Sequence, residues 1–246
     1  MNITWDARCY TESFAFVHRY GGALLELISR DGSALDLGCG NGALTARLAE
    51  RGLRVVGMDA SQEMLEVAGA NHPEIAFYQG DAVDFTLAEP VDVVFSNAVI
   101  HWIDREKQPD VLKNVYRALK NGGQFVFEMG GRGNNARIHA ALAEAFARRA
   151  LEYRMPFYFP TIGEYAALLE KAGFKVEYAL MFDRPTELSG EDGLADWIRM
   201  FVRTPFEGVE GMEEIVREAV NELCGELFHD GKWYADYVRL RMKAVK

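Results

Sequence analysis

Apolar positions change their period along the chain, and the changes divide it. Residues 11–29 place Phe14, Val17, Ala23, Leu24, Leu27 and Ile28 on one face at helical spacing. Between residues 34 and 129 short apolar runs alternate with helical patterns. Strands are predicted at 34–37, 54–59, 75–78, 91–95 and 124–129. The helices between them include 41–51, one capped by Ser61, and one through Val111, Leu112, Val115 and Leu119 that should stop at the turn signal 120–123. Near-continuous apolar strands separated by helices predict a parallel sheet covered on both faces.

The second half reads differently. Ile138, Leu142, Ala145, Phe146 and Arg149 share a helical face, and Thr161 with Glu164 forms a T-x-x-E capping box. Residues 174–182 read as a strand and 190–229 as helical, with one stripe at Leu194, Trp197, Ile198 and Phe201 and another at Ile215, Ala219, Leu223 and Leu227. The chain closes in strict alternation. Val238, Leu240 and Met242 face one way and Arg239, Arg241 and Lys243 the other, which predicts a half-buried strand returning to the sheet. The expected fold is α/β: a Rossmann-like, seven-stranded, mostly parallel sheet with helices on both faces and a helical lid inserted before the last strand. Its units are a core with an N-terminal helical arm at 1–185, the lid at 186–232 and the returning strand at 233–246.

Charge narrows the partners. Against 37 Asp and Glu stand 27 Lys and Arg, a net of −10, with no basic block to neutralise nucleic-acid phosphates or an anionic membrane. Neither is an expected partner; a small-molecule acceptor is. Cys9, Cys39 and Cys224 are too widely spaced for a disulfide framework or a metal knuckle, and the histidines form no ligand-spaced set, so no metal is expected. The first ten residues lack the pattern of a signal peptide, and a cytoplasmic monomer or homodimer is expected.

The chemistry concentrates after the first strand, in Asp36-Leu37-Gly38-Cys39-Gly40-Asn41-Gly42. Glycines there permit a tight turn and close approach of a ligand to the main chain. The spacing is G-x-G-x-G rather than the G-x-G-x-x-G of dinucleotide sites, which argues against a nicotinamide-dependent reductase. Asp36, two residues before the first glycine, suits an ammonium or sulfonium group better than a pyrophosphate. Asp59 ends the second strand, where a carboxylate can accept from both ribose hydroxyls. Asp81 ends the third, where it can accept from an adenine amino group. Acids at three successive strand ends describe a cationic nucleoside without phosphates, S-adenosylmethionine.

With these motifs the chain resembles the class I S-adenosylmethionine-dependent methyltransferases. It is most similar to the small-molecule branch that includes trans-aconitate methyltransferase. The resemblance is carried by Trp5-Asp6-Ala7 with Tyr10, by residues 35–45, by Ser96-Asn97-Ala98-Val99-Ile100-His101-Trp102, by Gly130-Gly131-Arg132-Gly133-Asn134, by Asp183-Arg184-Pro185-Thr186 and by residues 236–241. Asn41 departs from the small residue or Thr usual in the family. The resemblance implies that Gly38 and Gly40 line the methionine portion and Asp59 holds the ribose. It further implies that Ala60 and Met64 flank the adenine, Asp81 and Ala82 bond its edge, the Asn97 backbone holds the amino-acid end and Tyr10 closes over the cofactor.

His101 and Trp102 follow the fourth strand at the ligand-binding edge and are candidates for the acceptor pocket, His101 also as a catalytic base. Arg132 is a candidate to hold a substrate carboxylate bidentately, with Arg184, Arg203 and Lys232 as further candidates from the lid side. The aromatic run Tyr153, Phe157, Tyr158, Phe159 is read as a lid anchor rather than a pocket wall. The expected reaction is methyl transfer to an oxygen of a small molecule, preferably a carboxylate of an organic acid, giving a methyl ester. Phenolic, amine or carbon acceptors of secondary metabolites, and a non-catalytic S-adenosylmethionine-binding role, stay open as alternatives.

Overall fold

The structure, a computed structural model, describes residues 21–246. Tyr10 and the segment 5–7 lie outside the described residues. Strands β1 (Ser33–Leu37), β2 (Arg54–Asp59), β3 (Ala76–Gln79), β4 (Val91–Asn97) and β5 (Leu119–Gly130) are joined in parallel in the order β3-β2-β1-β4-β5. Beyond them, β8 (Lys232–Val245) runs antiparallel between β5 and β6 (Lys175–Leu188), and the two-residue β7 (Phe228–His229) pairs with β8. The order reverses at β1, whose neighbours are β2 and β4, and there the strand ends part to leave a crevice.

Helices cover both faces. Leu24 and Leu25 of α1 (Gly22–Leu25) and Leu44 and Leu48 of α2 (Ala43–Glu50) pack with Val93, Phe95 and Val126 on one face. On the other, Val111, Leu112 and Val115 of α4 (Gln108–Ala118) and Tyr165 and Leu169 of α6 (Ile162–Lys171) pack with Leu35, Val94, Phe125 and Phe127. The period-two alternation of β4 and β5 thus serves two cores at once. Ser61 caps α3 (Gln62–Asn71) by accepting from the Met64 N–H, and the Thr161–Glu164 capping box opens α6. A third core unites α5 (Ala136–Ala147) with α7 (Gly193–Phe201) and α8 (Met212–Leu227), through Leu142, Phe146, Trp197, Ile198, Ile215 and Leu223. Among the described residues no helix is long and apolar enough to cross a membrane.

Three expectations change. The turn signal at 120–123 does not interrupt the chain: α4 ends at Ala118 and β5 begins at once, with Gly122 at φ +73° absorbing the irregularity. The predicted strand at 174–182 continues to Leu188, because β8 pairs with it as far as Trp233. Most consequentially, β8 is not half-buried. It lies inside the sheet, and Arg239 and Arg241 are buried with exposures of 6% and 8%. The alternation is as expected, but Arg239 and Arg241 of its polar row face the carboxylate of Glu128 on β5, not water, while Lys243 donates to Ser29 Oγ and pairs with Glu177.

Candidate functional site

One continuous cavity opens at the carboxyl ends of β1, β2, β3 and β4, and its two ends differ in chemistry. At the first end, β1 stops at Leu37 and the chain turns through three glycines with positive φ, Gly38 (+75°), Gly40 (+54°) and Gly42 (+81°). A Cβ on Gly38 would sit 2.2 Å from Val99 Cγ2. A Cβ on Gly40 would meet only Met64 Cε, at 3.5 Å, and both residues line the cavity, so the missing side chain leaves room for a ligand. The carboxylate of Asp59 is held at the wall by two main-chain donors: Gly40 N–H to Oδ2 and Ser61 N–H to Oδ1, each at 2.9 Å. Asp81 accepts from Val83 N–H at 3.0 Å through Oδ1. Ala60, Met64, Ala82 and Asn97 complete this end.

Asp36 is not on the wall. It is 2% exposed, behind the glycine loop, where Thr45 Oγ1 donates to Oδ2 at 2.7 Å. Burial pushes its carboxyl up to about 7; the Thr45 hydrogen bond opposes this and the nearby Asp59 adds to it. It is therefore tied to α2 through Thr45, and the direct contact with a cationic ligand expected from sequence is not what its position provides. The spacing of Asp36 and the glycines was legible; the inward direction of its side chain was set by β1 packing.

Ala98, at φ +61°, marks the passage to the second end, a left-handed conformation costly for a residue with a Cβ. The 3₁₀ turn Ile100–Trp102 then brings His101 and Trp102 to the wall. Gln108, itself held by Tyr165, donates to the Ile100 and Ile103 carbonyls and fixes that turn. The Gly130 N–H donates to His101 Nδ1 at 3.3 Å. A main-chain N–H can only donate, so Nδ1 is the acceptor and the neutral ring carries its proton on Nε2. Burial first, and then the charge of Arg239, hold this histidine well below its ordinary range. His101 thus presents a neutral Nε2–H donor to the cavity, with the lone pair of Nδ1 already engaged.

Arg132 is exposed and away from the cavity; its main-chain N–H donates to the Pro160 carbonyl. Lys232 pairs with Glu187, and Arg203 Nε donates to the Arg199 carbonyl, so neither lines the site. Arg184 does, together with two residues that sequence reading missed, Glu128 and Arg239. Glu128 interrupts the apolar run Phe125-Val126-Phe127, the one signal that a buried ion pair crosses these strands. Phe157 and Phe159 also form wall, with Trp197, Phe201 and Tyr237, so part of the aromatic run assigned to anchoring is pocket surface. Phe157 meets Trp102 edge-on at 4.6 Å, and Trp197 Nε1 donates to Tyr237 Oη at 2.7 Å.

A site with open-space glycines, two wall carboxylates and an apolar slot fits a positively charged nucleoside, since phosphates would be repelled there. The comparisons agree. Residues 34–123 match the family model described as a methyltransferase domain. Across 98% of both chains the protein is 34% identical to an uncharacterized methyltransferase of Schizosaccharomyces pombe. It is 32% identical to the trans-aconitate 2-methyltransferase of Mycobacterium tuberculosis over 79% of this chain and 76% of that one. The fold is shared with the YcgJ protein of Bacillus subtilis, at a TM-score of 0.65, 17% identity and coverage of 93% and 98%. The chain belongs to the class I S-adenosylmethionine-dependent methyltransferases. It is an enzyme, and its methyl donor is S-adenosylmethionine.

Proposed function

We propose that this enzyme methylates a carboxylate oxygen of a small organic acid, releasing a methyl ester. The observation that carries the reading is the hydrogen bond from Gly130 N–H to His101 Nδ1. A phenol or ammonium acceptor must lose a proton before it can attack, and the ring best placed to take one has its lone pair occupied. A carboxylate is already ionised near neutrality and needs no base. The name of the trans-aconitate 2-methyltransferase relative points to the same acceptor class.

In this reading Gly38 and Gly40 border the methionine portion of the cofactor, Asp59 accepts from the ribose hydroxyls, Ala60 and Met64 enclose the adenine, Asp81 and Ala82 bond its edge, and the Asn97 backbone holds the amino-acid end. When bound, S-adenosylmethionine supplies a methyl on a positively charged sulfur, and the sulfur leaves as a neutral thioether. His101 Nε2–H donates to the acceptor and aligns it. Helix α7, bearing Trp197 and Phe201 and packed on α8, acts as the lid that excludes water. Fixing the two reactants in line can contribute roughly 7–11 kcal/mol of barrier reduction, so little covalent chemistry is asked of the protein.

The test is transfer of labelled methyl from S-adenosylmethionine to a panel of small acids and phenols, read by mass. An alkali-labile ester on an acid supports the reading; methylation confined to phenols or amines overturns it.

A further inference from the structure

The acceptor end of the cavity gathers positive charge among the described residues. Three guanidinium groups surround the single carboxylate of Glu128. Arg184 donates to both of its oxygens, at 2.6 and 3.2 Å. Arg241 donates twice to Oε2, at 2.9 and 2.6 Å, and does not line the cavity. Arg239 donates through Nε alone, to Oε1 at 3.2 Å. Burial would push Glu128 up, but the three arginines outweigh it and hold the carboxyl below its ordinary range, so it is ionised. Among the described residues three guanidinium groups thus meet at this one carboxylate, in a chain whose net charge is −10.

Arg239 is the member of this cluster with capacity to spare. Its Nε bond to Glu128 is its one hydrogen bond to the described residues, which leaves Nη1 and Nη2 for a ligand. The side chain is held in place: it is 8% exposed, with the Tyr237 ring 5.7 Å from its Cζ. Two parallel N–H donors from one rigid plane match the two oxygens of a carboxylate. In the same cavity lining stands Asn135, 1% exposed and held at φ +52°, whose Oδ1 is buried without a hydrogen-bond partner among the described residues. As an acceptor it suits a hydroxyl or other donor of a ligand and not the carboxylate itself.

From this geometry we infer that Arg239 is the specificity-determining anchor for the acceptor, gripping through its Nη pair a second carboxylate that is not methylated. The enzyme then selects di- and polycarboxylic acids over monoacids. The inference rests on the carboxylate reading above and deepens it: one carboxylate is presented for transfer while another is held by charge.

The experiment compares kcat/KM for mono- and dicarboxylic acids of equal chain length, with saturating S-adenosylmethionine, in the wild-type protein and in R239K and R239Q. The wild type should favour the diacid about tenfold or more. R239K keeps the charge but loses the fork, and should lose about 10- to 100-fold on the diacid through KM, collapsing the diacid-to-monoacid ratio. S-adenosylhomocysteine affinity, read by calorimetry on the same variants, reports whether the cofactor end survives the substitution. Equal wild-type kcat/KM for the two acids overturns the anchor whether or not the variants fold. A ratio unchanged in R239K overturns it too. No ester on any acid removes the carboxylate reading itself, and the anchor with it; ester formed equally on both acids removes the anchor alone.

Discussion

The main-chain N–H of Gly40 donates to Oδ2 of Asp59 at 2.9 Å, tying the loop after β1 to the end of β2. The other oxygen accepts from Ser61 N–H, so one carboxylate positions both the glycine turn and the start of α3 while staying on the cavity wall. Asp59→Ala should therefore lower affinity for S-adenosylmethionine by roughly 1.5–3 kcal/mol, the worth of hydrogen bonds to a charged acceptor. Titration calorimetry measures it directly. An unchanged dissociation constant would remove Asp59 from the ribose position.

Gly38 has no tolerance for a side chain. At φ +75°, with its added Cβ 2.2 Å from Val99 Cγ2, Gly38→Ala combines a left-handed strain with a steric overlap. The expected destabilisation is about 2–5 kcal/mol. Val99→Ala in the same background should recover the overlap but not the strain. Thermal melts of the single and double variants separate the two, and no recovery in the double variant would show that the backbone alone is responsible.

His101 should tolerate replacement by a group that keeps its donor and acceptor pattern. His101→Gln can accept from Gly130 and donate to the acceptor, so turnover should fall by no more than about tenfold. The pH–rate profile on a carboxylate acceptor should show no rise through neutrality. A loss of ~10³-fold, or a rise abolished by the substitution, would make the histidine a base after all.

Asp36 makes stability depend on pH in a direction unusual for a carboxylate. Its folded-state value, pushed up to about 7 by burial, lies above the ordinary 3.8, so the folded protein binds this proton more tightly than the unfolded chain. The stabilisation it gives is full below about pH 4 and is lost as pH rises toward about 7. Asp36→Asn, whose amide oxygen can still accept from Thr45, should gain stability relative to the wild type across that window. Scanning calorimetry from about pH 4 to pH 7 checks it; a melting-temperature difference that stays flat or runs the other way would refute the burial argument.

Much of the first end of the cavity was readable in one dimension. Gly38 and Gly40 come just after β1, Asp59 ends β2 and Asp81 comes just after β3, and a parallel sheet brings successive strand ends to one edge, so spacing along the chain becomes proximity in space. The capping box at Thr161 and the Ser61 cap were legible for the same reason: their partners lie three residues away. Asp36 marks the boundary of this kind of reading. Its place in the motif was plain, but its burial behind the loop depends on how β1 packs.

The acceptor end was not legible, and Arg239 shows why. The sequence alone determined the period of the last strand, its apolar row at Leu240 and Met242, and the alternating charges opposite. Only the tertiary structure decided what those charges face. Alternation assigns residues to two sides of a strand without saying what covers either, and here β5 and β6 supply Glu128 and Arg184, 111 and 55 positions before Arg239, turning an expected solvent face into a buried ion cluster. Local chemistry is written in neighbouring residues. Charge held in a crevice between distant strands exists only after the sheet has formed.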